Sequence, residues 1–387
     1  MLVAVIPEEE FLLSNFRRYY ESSELPMPDR IQAREIGFIP FNGTMVRHYS
    51  LQDARYANLF FRQTVPRHLY YSSAYYRKPD DRQMKEKEWL GAELIFDLDA
   101  DHLQGAERMT YGQILEEVKK HTLRLVDQYL LGDMDFPEEN VQVFFSGGRG
   151  YHVHVHGEDI YTMSSDMRRE IANYCRLEGF GSQQLQKMKG RSVETGTGVY
   201  VRFSEYLSIF MNALAKGGIE EREIATGILG EKGLSRFMKG IGVDANGMSQ
   251  GGRRDQLFSP SGGPGIGLTG TDRTLLDGLL EKFKREQSCE IDEPVTTDVH
   301  RLIRFPGSLH GKTGLEVMPV PVGHLNDFDP LVEAVPGIFK SDYLEVNVPA
   351  PVQATMLGEQ FSLPEGKQQI PLCLAIFLAG QRKVRLE

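Results

Sequence analysis

Hydrophobic and polar residues alternate most clearly between residues 91 and 101. A period of two residues is that of a β-strand, in which successive side chains point to opposite faces. Leu94 and Leu98 then share one face, and Asp97 and Asp99 share the other. The pattern therefore predicts a strand that carries two carboxylates side by side near its end.

Other segments also have a helical or a strand period. Apolar residues recur at helical spacing, which predicts helices at residues 8–22 and 111–131. Short apolar runs are bounded by turn residues elsewhere. They predict strands at residues 35–41, 44–49, 299–305 and 315–322, and a hairpin at residues 141–157 with its turn at 146–150.

The order of these segments predicts the fold class. Strands and helices mix without a regular βαβ repeat, so we expect an α+β fold. Residues 1–330 are predicted to form one large domain, with a mainly helical insertion at residues 165–290 and a glycine-rich loop at residues 251–270. The chain becomes proline-rich and extended towards its end, and residues 331–387 are predicted to be a small C-terminal extension.

Composition limits the class of protein. The 387 residues are 41% hydrophobic and 25% charged, which suffices for a substantial core. The formal net charge of -10 opposes a general coating of nucleic acid, because phosphate binding depends on Lys and Arg. Residues 62–87 are nevertheless rich in Lys, Arg and Tyr. This mixture suits phosphates and stacked bases, and it equally suits a solvated surface above buried tyrosines.

The cysteines and the lengths of the apolar runs indicate the cellular compartment of the protein. Cys175, Cys289 and Cys373 lie far apart, which argues against a disulfide framework and against a CxxC metal site. No apolar stretch approaches the roughly 20 residues that a membrane span needs. No basic segment precedes the short apolar run at the N-terminus, so a signal peptide is not expected. We expect a cytoplasmic protein in a reducing compartment.

The paired carboxylates carry the strongest chemical signal. On one strand face Asp97 and Asp99 are roughly 6.5–7 Å apart along the backbone, so their side chains can converge. Two Mg²⁺ or Mn²⁺ ions about 3.5–4 Å apart need bridging carboxylates of this kind. The alternative is a strand that runs out into solvent at residues 97–101.

The turn of the predicted hairpin suggests an anion site. Ser146, Arg149 and His152 accompany three glycines, which together supply a hydroxyl, a guanidinium, an imidazole and exposed backbone N–H groups. These groups suit a triphosphate, although a plain tight turn would also explain the glycines. His152, His154 and His156 alternate along the following strand, which leaves a zinc site there as a further alternative.

A third carboxylate, Asp292, stands before a group of side chains that suit phosphate binding. They are Arg301, Arg304, His310 and Lys312. Residues 307–313 partly match a Walker P-loop, but Pro306 stands where that motif requires glycine and Gly307 comes one position late. We therefore reject an ATPase.

These motifs together resemble a known family. Residues 66–76 read PRHLYYSSAYY, residues 89–103 read WLGAELIFDLDADHL and residues 301–315 read RLIRFPGSLHGKTGL. They resemble the small catalytic subunit of archaeal and eukaryotic DNA primase, and the archaeal branch most closely. The likeness runs in order through residues 34–38, 66–103, 144–153 and 292–315.

The resemblance implies a primase-type catalytic core with a mixed sheet and assigns the site residues. It makes Asp97, Asp99 and Asp292 the catalytic metal ligands. It also implies a set of residues that bind the incoming nucleotide, and these are Ser146, Arg149, His152, Arg304, His310 and Arg34. Many archaeal relatives carry a cysteine-rich zinc knuckle after the paired aspartates, but residues 104–140 contain no cysteine. A structural zinc is therefore not expected.

The implied activity is template-directed synthesis of short RNA primers on single-stranded DNA, with Mg²⁺ or Mn²⁺ as cofactor and DNA primers as an open alternative. The implied partner is the primase large subunit, in a heterodimer, and the implied substrates are NTPs or dNTPs. The implied place of work is the nucleoid during replication. Three other hypotheses stay open: a gap-filling polymerase of the same superfamily, a metal-dependent nuclease, and a catalytically inactive nucleic-acid-binding scaffold.

Overall fold

The computed structural model describes residues 7–103, 105–181, 198–240 and 269–386. Most of the predicted glycine-rich loop, residues 251–268, lies outside these ranges. The chain divides into two compact units. The first comprises Met1–Val126, Phe136–Ala172 and Glu290–Glu387, and the second comprises Asp127–Asp135 and Asn173–Cys289.

Helices and strands alternate irregularly along the described residues, which agrees with an α+β class. The helices are α1 (Pro7–Ser22), α2 (Ala54–Thr64), α3 (Tyr111–Arg124), α4 (Glu158–Tyr161), α5 (Ser165–Cys175), α6 (Val199–Ala215), α7 (Ile219–Gly240), α8 (Gly270–Gln287), α9 (Glu293–Thr297), α10 (Pro330–Glu333) and α11 (Leu372–Gly380). The strands are β1 (Ile36–Ile39), β2 (Val46–Tyr49), β3 (His68–Ser72), β4 (Ala74–Tyr76), β5 (Trp89–Ala92), β6 (Leu94–Asp99), β7 (Val141–Phe145), β8 (Gly150–Val155), β9 (Leu302–Arg304), β10 (Met318–Val320), β11 (Tyr343–Val348), β12 (Val352–Met356), β13 (Glu359–Leu363) and β14 (Gly366–Pro371).

Two four-stranded antiparallel sheets form the centre of the first unit. Their strand orders are β2-β1-β3-β9 and β10-β7-β8-β6. In the second sheet Asp97 lies opposite His152, and Asp99 lies opposite Gly150. In the first sheet Tyr70 lies opposite Arg304. Register alone thus brings together residues from separate sequence motifs.

The alternation predicted for residues 91–101 is confirmed, but it belongs to two strands. Glu93 separates β5 from β6, and the pleat of β6 buries Leu94 and Leu98 completely. Asp97 and Asp99 stay partly exposed, because they point away from that packed face. The predicted helix at residues 8–22 and the hairpin at residues 141–157 are also confirmed. Helix α3 continues as a π-helical segment over Leu125–Asp133.

The tyrosines of the basic segment at residues 62–87 are mostly part of the core. Tyr71, Tyr75 and Tyr76 are buried, and the Lys87 ammonium is buried beside Glu35. Buried rings cannot stack on nucleic-acid bases. The alternative of a solvated surface above buried tyrosines therefore fits this segment.

The end of the chain combines two strand pairs with a buried helix. Strand β11 pairs with β14, and β12 pairs with β13, as the prediction of extended chain requires. That prediction is wrong for Leu372–Gly380, which forms α11 with every residue from Leu372 to Ala379 buried. A helix that is apolar on all sides has no periodic pattern to distinguish it from a buried strand.

Helices build the described part of the second unit. Phe203, Leu207 and Phe283 belong to its core, and the rings of Phe203 and Phe283 meet edge to face at 5.1 Å between centroids. Gly278 of α8 would place a Cβ 2.7 Å from Ile228 of α7, so the absence of a side chain permits close approach of these helices. Among the described residues no helix is long and apolar enough to cross a membrane.

Candidate active site

Three carboxylates meet at the end of β6. Asp97 and Asp99 project from this strand, and the backbone N–H of Asp292 donates a hydrogen bond of 2.9 Å to the Asp97 carbonyl. Asp292 then begins α9 as its N-cap residue. This one long-range hydrogen bond attaches the third carboxylate to the strand that carries the other two.

The three carboxylates repel one another. Burial, together with the neighbouring charges of Asp99 and Asp292, raises the pKa of Asp97 to about 7. A divalent cation would relieve this repulsion, and Mg²⁺ or Mn²⁺ prefers oxygen ligands. The donor set therefore fits such ions.

This repulsion predicts a pH-dependent gain in stability for Asp97→Asn in the presence of a chelator. A carboxylate whose folded pKa is raised contributes stability below its unfolded pKa, and that stability is lost as pH rises through the folded pKa near 7. Urea unfolding should therefore show the variant to be about 1–3 kcal/mol more stable than the native chain at pH 8. The difference should shrink as pH falls below 7 and vanish below about pH 4, where the Asp97 carboxyl is largely protonated in the folded and unfolded chains alike.

The control is Asp101→Asn, which removes an exposed carboxylate that is paired with Arg149. This variant should show no gain at pH 8. A native chain as stable as Asp97→Asn at pH 8 would contradict the repulsion between the three carboxylates.

The hairpin between β7 and β8 places a glycine turn beside these carboxylates. Gly147 adopts a φ of 73°, which a side chain would strain, and the Gly148 N–H donates to the Ser146 hydroxyl at 3.3 Å. At Gly150 a Cβ would overlap the carbonyl oxygen of Leu98. Glycine at this position therefore allows β8 to lie close against β6 at the point where Asp99 projects.

Arg149 connects the turn to the acidic end of β6. Its guanidinium pairs with Asp101 and lies 3.8 Å from Asp99. The same side chain is 40% exposed, so it can reorient towards a ligand. Its charge is largely offset while it stays in these ion pairs.

Two neutral histidines face the carboxylates and the turn. His152 Nε2 lies 3.6 Å from Asp97 Oδ1, and burial lowers the pKa of His152 well below its usual value. Burial and the nearby Arg304 charge likewise lower the pKa of His310. The backbone N–H of Lys312 donates to His310 Nδ1 at 3.4 Å, which assigns the proton of the neutral ring to Nε2. Both rings can therefore donate hydrogen bonds to an anion without carrying charge.

Arg304 reaches the cavity from the first sheet. It donates to His68 Nδ1 at 2.6 Å, and its guanidinium lies 5.1 Å from the centre of the Tyr70 ring. Burial and the cations Arg304 and Arg67 lower the pKa of His68 to about 3, so this ring is neutral and accepts the hydrogen bond. The contact fixes the direction of the Arg304 side chain.

These groups line one cavity of about 840 Å³. Most of the predicted site residues contribute to its wall: Asp97, Asp99, Ser146, Arg149, His152, Arg304 and His310. Asp292 adjoins this wall through its hydrogen bond to Asp97. The cavity is large enough for a nucleotide, and it presents carboxylates together with cations and hydrogen-bond donors.

The structure does not bring Arg34 into this cavity. Its side chain is 1% exposed and pairs with the equally buried Glu93, and it also donates to the Ser72 carbonyl and the Tyr75 hydroxyl at 2.8 Å. Burial opposes the ionisation of Glu93, but the Arg34 charge together with His154 and His156 holds the pKa of this carboxyl well below its usual range. These contacts indicate a structural role, because Arg34 precedes strand β1 of one sheet and Glu93 precedes strand β6 of the other.

The alternating histidines of β8 do not share one site. His152 lines the cavity, whereas His154 and His156 lie with their Nδ1 atoms 3.0 and 3.5 Å from Glu93 carboxylate oxygens. Glu93, His154 and His156 could together offer three ligands to a zinc ion. The Arg34 guanidinium already neutralises Glu93, so a buried dication beside it would face uncompensated repulsion.

Comparison with known proteins identifies the family. The family model described as DNA primase small subunit matches residues 96–321. The DNA primase small subunit PriS of Picrophilus torridus is 45% identical over 370 residues, which cover 96% of each chain. The proteins of the same name from Thermoplasma volcanium and Methanocella arvoryzae are 37% and 35% identical, with at least 95% of each chain covered. The chain belongs to the DNA primase small subunit family.

Several residues of the primase cavity gave no separate signal in the sequence. Tyr111 donates its hydroxyl hydrogen to the Gly148 carbonyl and supports the turn from α3. His68 and Tyr70 lie within a stretch that carried the family resemblance, but their period shows only a strand. Gln381 and Lys383 line the same cavity from the end of the chain, where nothing in the sequence pointed to a site.

Proposed function

We propose that the chain is the catalytic subunit of a DNA primase, which makes short RNA primers on single-stranded DNA from nucleoside triphosphates. One observation carries this proposal: Asp97 and Asp99, with Asp292 hydrogen-bonded beside them, share one cavity with a glycine turn and several cations. A nucleotidyl transfer needs this combination, because it must bind a triphosphate and stabilise charge on the phosphates. The assay that tests this proposal also compares dNTPs with NTPs as substrates.

Different residues act on different parts of the bound nucleotide. Asp97, Asp99 and Asp292 would hold two Mg²⁺ or Mn²⁺ ions, which would polarise the attacking 3′-hydroxyl and the α-phosphate. The 3′-hydroxyl loses its proton to solvent, its oxygen forms a bond to the α-phosphorus, and the bond from that phosphorus to the departing pyrophosphate breaks. Donors that line the same cavity then stabilise the developing negative charge. They are Ser146, Arg149, His152, Arg304 and His310.

The neutral state of the histidines suits this task. His152 and His310 can each donate a hydrogen bond to a phosphate oxygen without a charge that would attract the nearby carboxylates. Arg304, which is held by His68, supplies a fixed positive charge. The family resemblance also implied that Arg34 contacts the nucleotide. This contact has less support than those of the other residues, because the Arg34 side chain pairs with Glu93.

The wider organisation belongs to the same proposal. Residues 1–330 form a primase-type catalytic domain with a mixed sheet, residues 165–290 form a helical insertion, and residues 331–387 form a C-terminal extension. The primase large subunit is the partner in a heterodimer, single-stranded DNA is the template, and the complex works in the cytoplasm at the nucleoid. The printed names of the relatives, which specify a small subunit, support a large partner.

A gap-filling polymerase of the same superfamily is the second candidate, because it would use the same cavity. The test is synthesis on single-stranded DNA with labelled ribonucleotides or deoxyribonucleotides and Mg²⁺ or Mn²⁺, with and without a supplied primer. We expect oligomers without a supplied 3′ end. Products that appear only with a primer would favour the gap-filling polymerase.

Two controls complete this test. The assay is repeated with the large subunit, since an absence of product from the complex as well would contradict the primase and favour an inactive scaffold. Degradation of the template without added nucleotides would instead indicate a nuclease.

A further inference from the structure

The end of the chain contributes to the catalytic cavity. Gln381 and Lys383 line the same wall as Lys312 and Thr313. These two residues follow α11 and lie in the C-terminal extension, outside every segment that carried the family resemblance. The motif residues do not explain what these two side chains do in the cavity.

The turn that presents them is held in place by backbone hydrogen bonds. Arg382 has a φ of 59°, its N–H donates to the Ala379 carbonyl, and the Lys383 N–H donates to the Leu378 carbonyl, each at 2.9 Å. This is the left-handed pattern that commonly ends a helix. Val384 follows and is 2% exposed, which anchors the chain on the other side of Lys383. The backbone at Lys383 is therefore fixed on both sides.

The turn also packs directly on the loop that carries the predicted phosphate ligand His310. A Cβ at Gly380 would overlap the backbone carbonyl of Lys312, so the end of α11 touches this loop without any intervening side chain. A Cβ on Gly148 would lie 3.2 Å from His310 Nε2. Contacts thus run from the glycine turn through His310 and Lys312 to the end of α11.

The charges in the cavity leave a role for Lys383. A nucleoside triphosphate is a polyanion, and among the cations that line the cavity Arg149 is paired with Asp101 while Arg304 is held by a hydrogen bond to His68. Lys312 and Lys383 are both exposed, and no carboxylate of the described residues lies within ion-pair distance of either ammonium group. Their positive charges are thus available to a ligand.

Gln381 adds an uncharged donor at the same place. Its Nε2 atom is buried and has no hydrogen-bond partner among the described residues. A buried amide nitrogen without a partner is energetically unfavourable until an acceptor arrives. A phosphate oxygen is such an acceptor.

We propose that Lys383, together with Gln381, binds the terminal phosphate of the incoming nucleoside triphosphate. This inference rests on the proposed function, which places the α-phosphate at Asp97 and Asp99. The β- and γ-phosphates then extend along the glycine turn towards His310 and Lys312, and Lys383 stands at the end of this series of contacts. The C-terminal extension thereby helps the site to distinguish triphosphates from shorter nucleotides.

The experiment compares the binding of ATP, ADP and AMP to the full chain in the presence of Mn²⁺. Lys383→Gln should weaken the binding of ATP about tenfold and leave the binding of AMP unchanged, because only ATP has the terminal phosphate. Lys383→Arg should restore most of the affinity for ATP. In primer synthesis the KM for ATP should rise for Lys383→Gln while kcat is nearly preserved.

Arg385→Gln is the matched control, because it removes the same charge two residues away. Arg385 lines a smaller, separate cavity near Glu8 and Glu9, so Arg385→Gln should leave the affinity for ATP unchanged. The inference would be overturned if Lys383→Gln weakened the binding of ATP and AMP equally, or left the binding of ATP unchanged. Primer synthesis by the native chain would in that case still support the proposed function. A native chain that binds no ATP and makes no primers would overturn both.

Discussion

Replacement of Asp97, Asp99 or Asp292 by asparagine is expected to reduce primer synthesis about a thousandfold or more. Each carboxylate belongs to the set that fits two divalent cations, and asparagine keeps the shape of the side chain but removes its charge. Since Asp292 is attached through its backbone N–H, its side chain can change without breaking the 2.9 Å hydrogen bond to Asp97. The measurement is the rate of primer formation at saturating Mg²⁺ or Mn²⁺.

Asp101→Asn provides the control for these variants. Asp101 lies near the same strand end and lines the cavity, but its exposed carboxylate pairs with Arg149. Its replacement should change the rate by less than about tenfold, which is the size of an effect on a single ion pair at the edge of a site. If Asp97→Asn retained activity comparable with Asp101→Asn, the assignment of the metal ligands would be wrong.

Arg34→Met is expected to lower the free energy of unfolding by about 3–5 kcal/mol. The substitution keeps an unbranched apolar chain but leaves the Glu93 carboxylate buried without its cation. The buried ion pair joins residues that adjoin the two sheets of the first unit. Its loss should therefore destabilise the folded chain as a whole. Urea unfolding at pH 7 measures it.

Arg18→Met is the matched substitution at the surface. Arg18 pairs with Asp342, and both side chains are about half exposed, so its loss should change the free energy of unfolding by less than about 1 kcal/mol. Arg34→Met/Glu93→Gln should recover part of the stability, because the double variant leaves no buried charge. Unchanged stability of Arg34→Met combined with a selective loss of nucleotide affinity would instead support direct contact between Arg34 and the nucleotide.

Features that depend on local period could be predicted from the sequence. Strand alternation put Asp97 and Asp99 on one face, since a strand can bury Leu94 and Leu98 only by turning the intervening side chains the other way. Glycines between two apolar runs predicted the hairpin, because the left-handed φ at Gly147 favours a residue without a side chain. The mainly helical character of the described part of residues 165–290 followed from the same kind of pattern.

The sequence alone thus determined the α+β class, the two carboxylates on one strand face and the glycine turn of the hairpin, and its resemblance to a family pointed to Asp292. Only the tertiary structure decided that Arg34 pairs with Glu93 and that Lys383 reaches the cavity. Both depend on contacts between residues distant in the chain: the burial of an ion pair where two sheets meet, and the packing of the all-apolar helix α11 against the backbone of Lys312. No local period records such contacts, because each segment obeys its own pattern whichever partner it finally meets.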